Sequence, residues 1–388
     1  MRQILLALAA LALLGVLAEL VARAWLLLFG KYYVWPPGAR LQMRTDRTAV
    51  PELEPLIRVE FNAEGERGGA LPKDWKDTMR VLVAGGSVAE CWYLDQASTW
   101  PQVIERRLNE PENLARLGVR RVYVGNVARS LLTVEHIQRI FDCILDRYER
   151  IDAILLMVGA SDLVHWLEKG TPERIDGYEL PRESIFGQHP EGPFGWSPKS
   201  FALWRIVASL RRNLLHPIVT HENAGRRIAR ARQAKARVKT RVHEVADPAP
   251  MLDRFERNLR SLVARAKSRA KTVVLVRQPW LERELTPEEE RHLWMFGVGA
   301  GSTRNAASAA YYSLDAVWEL MRRVDARIVD VARDLGVETI DLRPVVPPTF
   351  DLWYDEMHHT AAGCERIGDA VARRLLERAQ DPALRRPN

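Results

Sequence analysis

The chain is poor in cysteine. Its 388 residues hold three, Cys91, Cys143 and Cys364. Widely spaced and odd in number, they offer neither a disulfide framework nor a paired metal-binding motif. An internal repeat is also missing, which sets aside solenoid and propeller architectures. Acidic residues are absent between Asn223 and His243, a stretch that carries Arg226, Arg227, Arg230, Arg232, Lys235, Arg237, Lys239 and Arg241. Aromatic residues are absent from that basic run too, which weighs against a single-stranded nucleic-acid groove, where bases stack on rings. Two readings of the 226–241 segment remain: a solvated helical face, or contact with anionic lipid headgroups. Basic residues are scarce ahead of the first apolar run, where only Arg2 stands.

What is present is a normal globular composition, with 47% hydrophobic and 28% charged residues and a net charge of +7 concentrated in the basic run. The length suits one large domain or two of ordinary size. Ile4 to Phe29 is almost continuously apolar, broken by Glu19 and Arg23. A bilayer-crossing helix needs about 20 such residues, so 1–30 reads as a membrane anchor or signal segment. The acid precedes the base by four, the favourable order for a helical pair. Ala22-Arg23-Ala24 is a candidate cleavage site, but cleavage would leave Trp25 and its apolar neighbours as an exposed start, so an uncleaved anchor is expected. Orientation is contested: Lys31, Arg40, Arg44 and Arg47 follow the run, and the positive-inside rule would keep the body cytoplasmic.

Residues 31–78, with the breaker Trp35-Pro36-Pro37-Gly38, read as a linker and lead-in. From 79 to about 380 the pattern alternates. Strands are expected near 79–84, 121–125, 153–158, 271–276 and 337–341, with helices near 100–109 and 133–148. Five strands with intervening helices predict a three-layer α/β/α sandwich around a parallel sheet. An insertion at about 164–249 interrupts it. Its first half is loop-like, with Pro172, Pro181, Pro190 and Pro193, and its second half is the basic run.

The chemistry is expected at Gly85-Gly86-Ser87, a tight turn at the end of a buried strand. A serine there stands at the carboxyl edge of the sheet, where open α/β folds bind ligands. Backbone N–H groups of a following helix can face an oxyanion. The bland alternative makes Ser87 a helix cap. A nucleophilic serine needs a base and an orienter. Near the C-terminus, Asp355 and His358 lie three apart; in a helical turn they would share a face, with His358 as base and Asp355 fixing its tautomer. Gly159-Ala160-Ser161-Asp162 ends the third strand, and Ser161 or Asp162 reads as the cap of a helix from Leu163. His165 and His359 lie near the inferred site, where each reads either as an assisting group or, more plainly, as a rim residue, and Thr360 reads as the cap of the last helix. Trp92, Trp166, Trp280 and Trp353 fall near carboxyl ends of strands, where core packing competes with a role as pocket floor.

From about Arg80 to Leu376, insertion excepted, the sequence resembles the SGNH (GDSL-type) hydrolases. Gly85-Gly86-Ser87 matches the family's first block with Gly86 in place of aspartate. Gly125-Asn126 begins a turn like its second, with Leu131 where a glycine is expected. Gly159-Ala160-Ser161-Asp162 matches its third with Ser161 in place of asparagine, and Asp355, His358 and Gly363 match its last in full. The resemblance implies a flavodoxin-like five-stranded sheet behind an N-terminal transmembrane helix. It also implies a triad of Ser87, His358 and Asp355 and an oxyanion hole from Ser87, Leu131 and Ser161, with no metal or organic cofactor. The expected activity is a serine esterase working through an acyl-serine on acetyl esters of an envelope carbohydrate, with the body periplasmic or otherwise extracytoplasmic. A polysaccharide O-acetyltransferase with the same triad, and a catalytically silent glycan-binding or scaffold protein, are the alternatives.

Overall fold

The computed structural model describes residues 1–174, 201–215, 217–299 and 308–380; Pro181, Pro190 and Pro193 of the expected insertion lie outside them. The chain opens with α1 (Arg2–Phe29), β1 (Arg40–Thr45) and β2 (Leu56–Glu60). The alternating body starts with β3 (Thr78–Gly85), a short α2 (Ser87–Glu90), α3 (Trp100–Leu108), α4 (Pro111–Leu117) and β4 (Arg121–Asn126). It continues through α5 (Val134–Ile144), β5 (Ile151–Met157) and α6 (Ala160–Glu168). Then come α7 (Ala202–Leu215), β6 (Ile218–Ala224), α8 (Arg226–Arg237) and the two-residue β7 (Arg241–Val242). The body resumes with α9 (Ala249–Lys267), β8 (Ala270–Arg277), the two-residue β9 (Tyr311–Tyr312), α10 (Leu314–Leu335), β10 (Glu338–Asp341) and α11 (Ala361–Gln380).

The five predicted strands form one parallel sheet in the order β10-β8-β5-β3-β4. Numbered along the chain, that order is 2-1-3-4-5, the flavodoxin-like arrangement. β3 is central to the site because it pairs on both sides, Val83 opposite Asn126 on β4 and Leu155 on β5. Strands covered on both faces read as continuous apolar runs, and every residue of β5 is buried. Helices α3, α4 and α11 pack together, as do α5, α9 and α10, giving the two outer layers. α10 shows why: Val317, Met321, Val324, Ile328 and Val331 recur at helical spacing and are buried. Gly336 ends that helix in the left-handed region, at φ 59°.

Part of the lead-in is ordered as strands. β1 pairs antiparallel with β2 and parallel with β6 from the insertion, forming a small three-stranded sheet. Met43, Ile57 and Val59 bury one side of it while charged residues alternate outward, a period-2 signal present in the sequence but short. Glu66 then enters the main body, where it pairs with Arg80 at 2.8 Å and accepts from the Tyr123 hydroxyl at 2.7 Å. A Cβ at Gly125 would meet that carboxylate at 2.5 Å, so this close approach requires glycine.

Candidate active site

The turn carrying Ser87 is built by two glycines. A Cβ at Gly85 would lie 2.2 Å from the Met157 carbonyl, so only glycine lets β3 end this close to β5. Gly86 is the N-cap, and the helix starts at Ser87 itself. Ser87 is thus the first helical residue and not the cap. The turn closes at Cys91 in the left-handed region, φ 54°. Its carbonyl ends are gathered by one buried cation from the lead-in. The Arg67 guanidinium donates to the carbonyls of Glu90 (2.5 Å), Cys91 (2.7 Å) and Leu94 (2.7 Å). Such satisfaction is needed where a helix end is buried.

Ser87 meets its expected partner. The Ser87 hydroxyl and His358 Nε2 lie 2.8 Å apart, and His358 Nδ1 is 2.9 Å from both Asp355 oxygens. A neutral histidine with its proton on Nδ1 donates to Asp355 and leaves Nε2 to accept from the serine. Residues 354–357 form a bend and not a helical turn. Asp355 Oδ1 accepts from the N–H groups of Met357 (2.9 Å) and His358 (2.8 Å), so the aspartate's own side chain shapes the loop. Its other oxygen accepts from the Trp294 indole at 2.8 Å. Burial pushes the Asp355 carboxyl up, but the His358 charge, its hydrogen bond and those N–H groups outweigh burial and hold it at about 2. Burial lowers the basicity of His358, and the Asp355 carboxylate more than reverses this, so the imidazole lies above its ordinary value.

His359 has a different place. Its ring packs on Trp353 with centroids 4.1 Å apart, neither ring nitrogen has a hydrogen-bond partner among the described residues, and burial and then the neighbouring His358 push its pKa down to about 3. Thr360 accepts from the Gly363 N–H at 3.3 Å, as expected of the cap of α11. A Cβ at Gly363 would lie 2.3 Å from the Leu352 carbonyl, which accounts for that glycine.

Ser87, Leu131 and Ser161 line one cavity of about 20 Å³. Leu131 stands at φ 65°, a left-handed conformation that suits glycine, so the resemblance's expected glycine marked a real backbone demand. The turn is held from both sides. His165 Nε2 donates to the Leu131 carbonyl at 2.8 Å, and Glu90 accepts from the Ser130 N–H at 2.6 Å and from the Ser130 hydroxyl. His165 is therefore a brace and not a rim residue. Ser161 and Gly86 are matched to each other: a Cβ at Gly86 would meet Ser161 Oγ at 2.4 Å. α6 starts at Ala160 with Gly159 as its N-cap, so neither Ser161 nor Asp162 caps it. Asp162 instead accepts from the Val134 N–H at the start of α5, and burial pushes its carboxyl up to about 7.

A larger pocket of about 390 Å³ opens on Ser87 and His358 and is walled by Trp35, Trp92, Tyr93, Trp294 and Tyr354, with Arg129 and Arg227 also lining it. Trp92 belongs to this wall, stacked on Trp35 with centroids 5.4 Å apart. Trp166, Trp280 and Trp353 are buried elsewhere. Sequence reasoning missed Trp35 and Trp294, which no motif marks. Most of the basic run keeps the expected solvated face, with Arg226, Arg227, Arg230, Arg237 and Lys239 exposed, but two of its cations turn inward. Within α8, Arg232 and Lys235 are buried, and Lys235 pairs with Glu356 at 2.6 Å. Arg232 donates to the Tyr354 carbonyl and, at 2.8 Å, to that of His292. Two cations of the run thus grip the loop carrying Asp355 and His358, and neither can reach lipid. Among the described residues, no group of three His, Cys, Asp or Glu is arranged to hold a metal ion.

No protein-family model matches the sequence, and no curated protein matches it. Among solved structures, the chain is similar to the acetylxylan esterase Axe2 from Geobacillus stearothermophilus, at 15% identity over 80% of this chain and 97% of that one, with a TM-score of 0.38. It is also similar to a G-D-S-L family protein from Desulfitobacterium hafniense DCB-2, at 11% identity over 76% and 98%, with a TM-score of 0.38. A third is the psychrotrophic esterase EstA from Pseudoalteromonas sp., at 11% identity over 78% and 99%, with a TM-score of 0.40.

Proposed function

We propose that this chain is a serine esterase of the SGNH type. The observation that carries the reading is the continuous hydrogen-bonded line from Ser87 through His358 to the buried Asp355. In the proposed reaction Ser87 Oγ attacks the ester carbonyl and His358 takes its proton at Nε2. Asp355 stabilises the imidazolium that results. The N–H groups of Ser87 and Leu131 and the Ser161 hydroxyl receive the charge that develops on the carbonyl oxygen. His358 returns the proton to the departing alcohol, leaving an acyl-serine. Water, activated by the same histidine, releases the acid. The small cavity beside Ser87 suits a short acyl group such as acetyl. The aromatic walls of the larger pocket suit the faces of sugar rings, which supports a carbohydrate O-acetyl ester as substrate.

The localisation reading is that α1 stays in the mature protein as a membrane anchor, with the catalytic body outside the cytoplasm. α1 is long and apolar enough to cross a membrane. Its Glu19 carboxylate accepts from the Ala202 and Leu203 N–H groups of the body, and cleavage after Ala24 would remove that contact. Added protease reaching the body in spheroplasts is the expected result; protection would refute the outside placement.

For the chemistry, the test is a fluorophosphonate probe together with a short-chain aryl ester. Wild type is expected to be labelled and to hydrolyse the ester. Ser87→Ala should abolish both while keeping its melting temperature, and His358→Ala should come close, since triad members act as a unit. Equal labelling of Ser87→Ala would overturn the assignment, and greater damage from His359→Ala than from His358→Ala would overturn the choice of base.

A further inference from the structure

Among the described residues, α7 is only partly covered: Ala202 is its one buried residue. Leu203, Val207, Leu210 and Leu214 follow one another at steps of four, three and four, which places them on a single stripe. Val207 is 52% exposed, Leu210 54% and Leu214 76%, with Trp204 at 61% beside them. Arg205 and Arg212, seven apart, share the opposite side by the same spacing. The apolar surface continues past the helix to Ile218 and Val219, also exposed. Soluble proteins rarely leave such a patch in water, and where they do it marks an interaction surface.

What meets this surface is indicated by the helix it adjoins. α7 starts against α1: Glu19 accepts from the Ala202 N–H at 2.8 Å and the Leu203 N–H at 3.1 Å, and is itself paired with Arg23 at 2.7 Å. Two of the first-turn donors of α7 are thus satisfied by the anchor helix. Around that junction α1 exposes Leu17, Leu20, Val21 and Trp25, so the apolar surfaces of the two helices adjoin one another. A buried ion pair is tolerable near the end of a span, where its groups lie close to the headgroups.

We infer that α7 is a second membrane element, lying in the plane of the bilayer that α1 crosses, with the Leu203–Val207–Leu210–Leu214 stripe in the acyl-chain boundary. The inference rests on the reading of α1 as an uncleaved span. With 14 residues, α7 falls short of the about 20 needed to cross, and an amphipathic helix of this kind lies on the interface instead. The consequence for the site is geometric. Trp35, in the pocket wall, follows the end of α1 by six residues, at most about 20 Å of extended chain. Two attachment points, α1 and α7, would fix how the pocket mouth faces the headgroups, so that the ester is taken from a substrate held at the membrane surface.

The test uses the full chain in vesicles of phosphatidylcholine and phosphatidylglycerol. An environment-sensitive fluorophore is placed at Leu210→Cys or, on the far side, at Ser209→Cys, in a Cys143→Ser background. Lipids brominated in the acyl chain should quench the label at 210 severalfold more than that at 209, and aqueous iodide should show the reverse order. A protein that floats with the vesicles but has the 210 label open to iodide refutes the role of α7 and leaves the anchor intact. A 210 label shielded from both quenchers means that the stripe is covered by protein, a second copy or another part of this chain, and also refutes it. A protein that does not float with the vesicles overturns both readings.

Discussion

Glu90 is the residue whose removal tests the oxyanion turn most directly. Its carboxylate is 3% exposed and holds the Ser130 N–H and hydroxyl one residue before Leu131. Glu90→Ala leaves that part-buried N–H without its acceptor, a cost of up to about 1–3 kcal/mol. Leu131 sits at φ 65°, where a side chain costs about 1–2 kcal/mol that glycine does not incur. The two terms are of similar size, so losing the grip of Glu90 lets the turn relax toward an ordinary backbone angle and carries the Leu131 N–H away from the cavity beside Ser87. Loss of one oxyanion donor costs on the order of 10²–10³ in turnover. His165 still holds the Leu131 carbonyl at 2.8 Å, which places the expected loss toward the lower end. The assay is kcat on an aryl acetate, with melting temperature and probe labelling as checks on fold and triad. Leu131→Gly alone should be nearly silent, and combined with Glu90→Ala it should recover much of the lost rate, since glycine adopts this angle without strain. Glu90→Gln, which keeps an acceptor, should fall between. A Glu90→Ala enzyme within about twofold of wild type, or a double variant no faster than the single, would refute the coupling.

Three further outcomes are expected. His358 acts as a base only when neutral, and Asp355 raises its pKa above the ordinary 6.5, so the acid limb of kcat/KM should lie above that value. Asp355→Asn should move the limb to lower pH and reduce kcat by on the order of 10⁴; an unmoved limb would exclude His358 as the titrating base. His359 is held neutral down to about pH 3 in the fold but protonates at 6.5 when ordinary. Its folded pKa is the lower one, so stability should fall as pH drops from 6.5 toward 3. Denaturant midpoints of His359→Leu should flatten in that window, and an unchanged slope would contradict the burial of an unpartnered imidazole. Ser161→Ala should lower kcat, and Ser161→Asn, whose amide reaches further into the cavity, should raise it; indifference to both would remove Ser161 from the oxyanion hole.

Local pattern carried the fold because β3, β4, β5 and β8 each hold a short apolar run buried in the sheet, β10 is a brief edge strand around the buried Ile340, and the outer helices repeat their apolar residues at helical spacing. Those signals depend only on near neighbours in sequence, and they placed β3, β4, β5, β8 and β10 within two residues. The turn glycines were legible for the same reason: Gly85 and Gly363 answer close backbone approaches that no other residue permits. The Ser87, His358 and Asp355 assignment needed the order of the blocks along the chain, and the hydrogen-bonded line between them is what the fold adds. Tertiary structure alone decided the rest. β1 pairs with a strand, β6, more than 150 residues away, and a pairing partner that distant leaves no trace in a local window. Arg67, Trp35 and Trp294 belong to the site only because that pairing and the 355–358 loop bring them there. The basic run shows the limit most plainly. Sequence gives eight cations on one segment, but whether a cation faces water or a buried carboxylate depends on what lies opposite, and for Lys235 that is Glu356, 121 residues further along the chain.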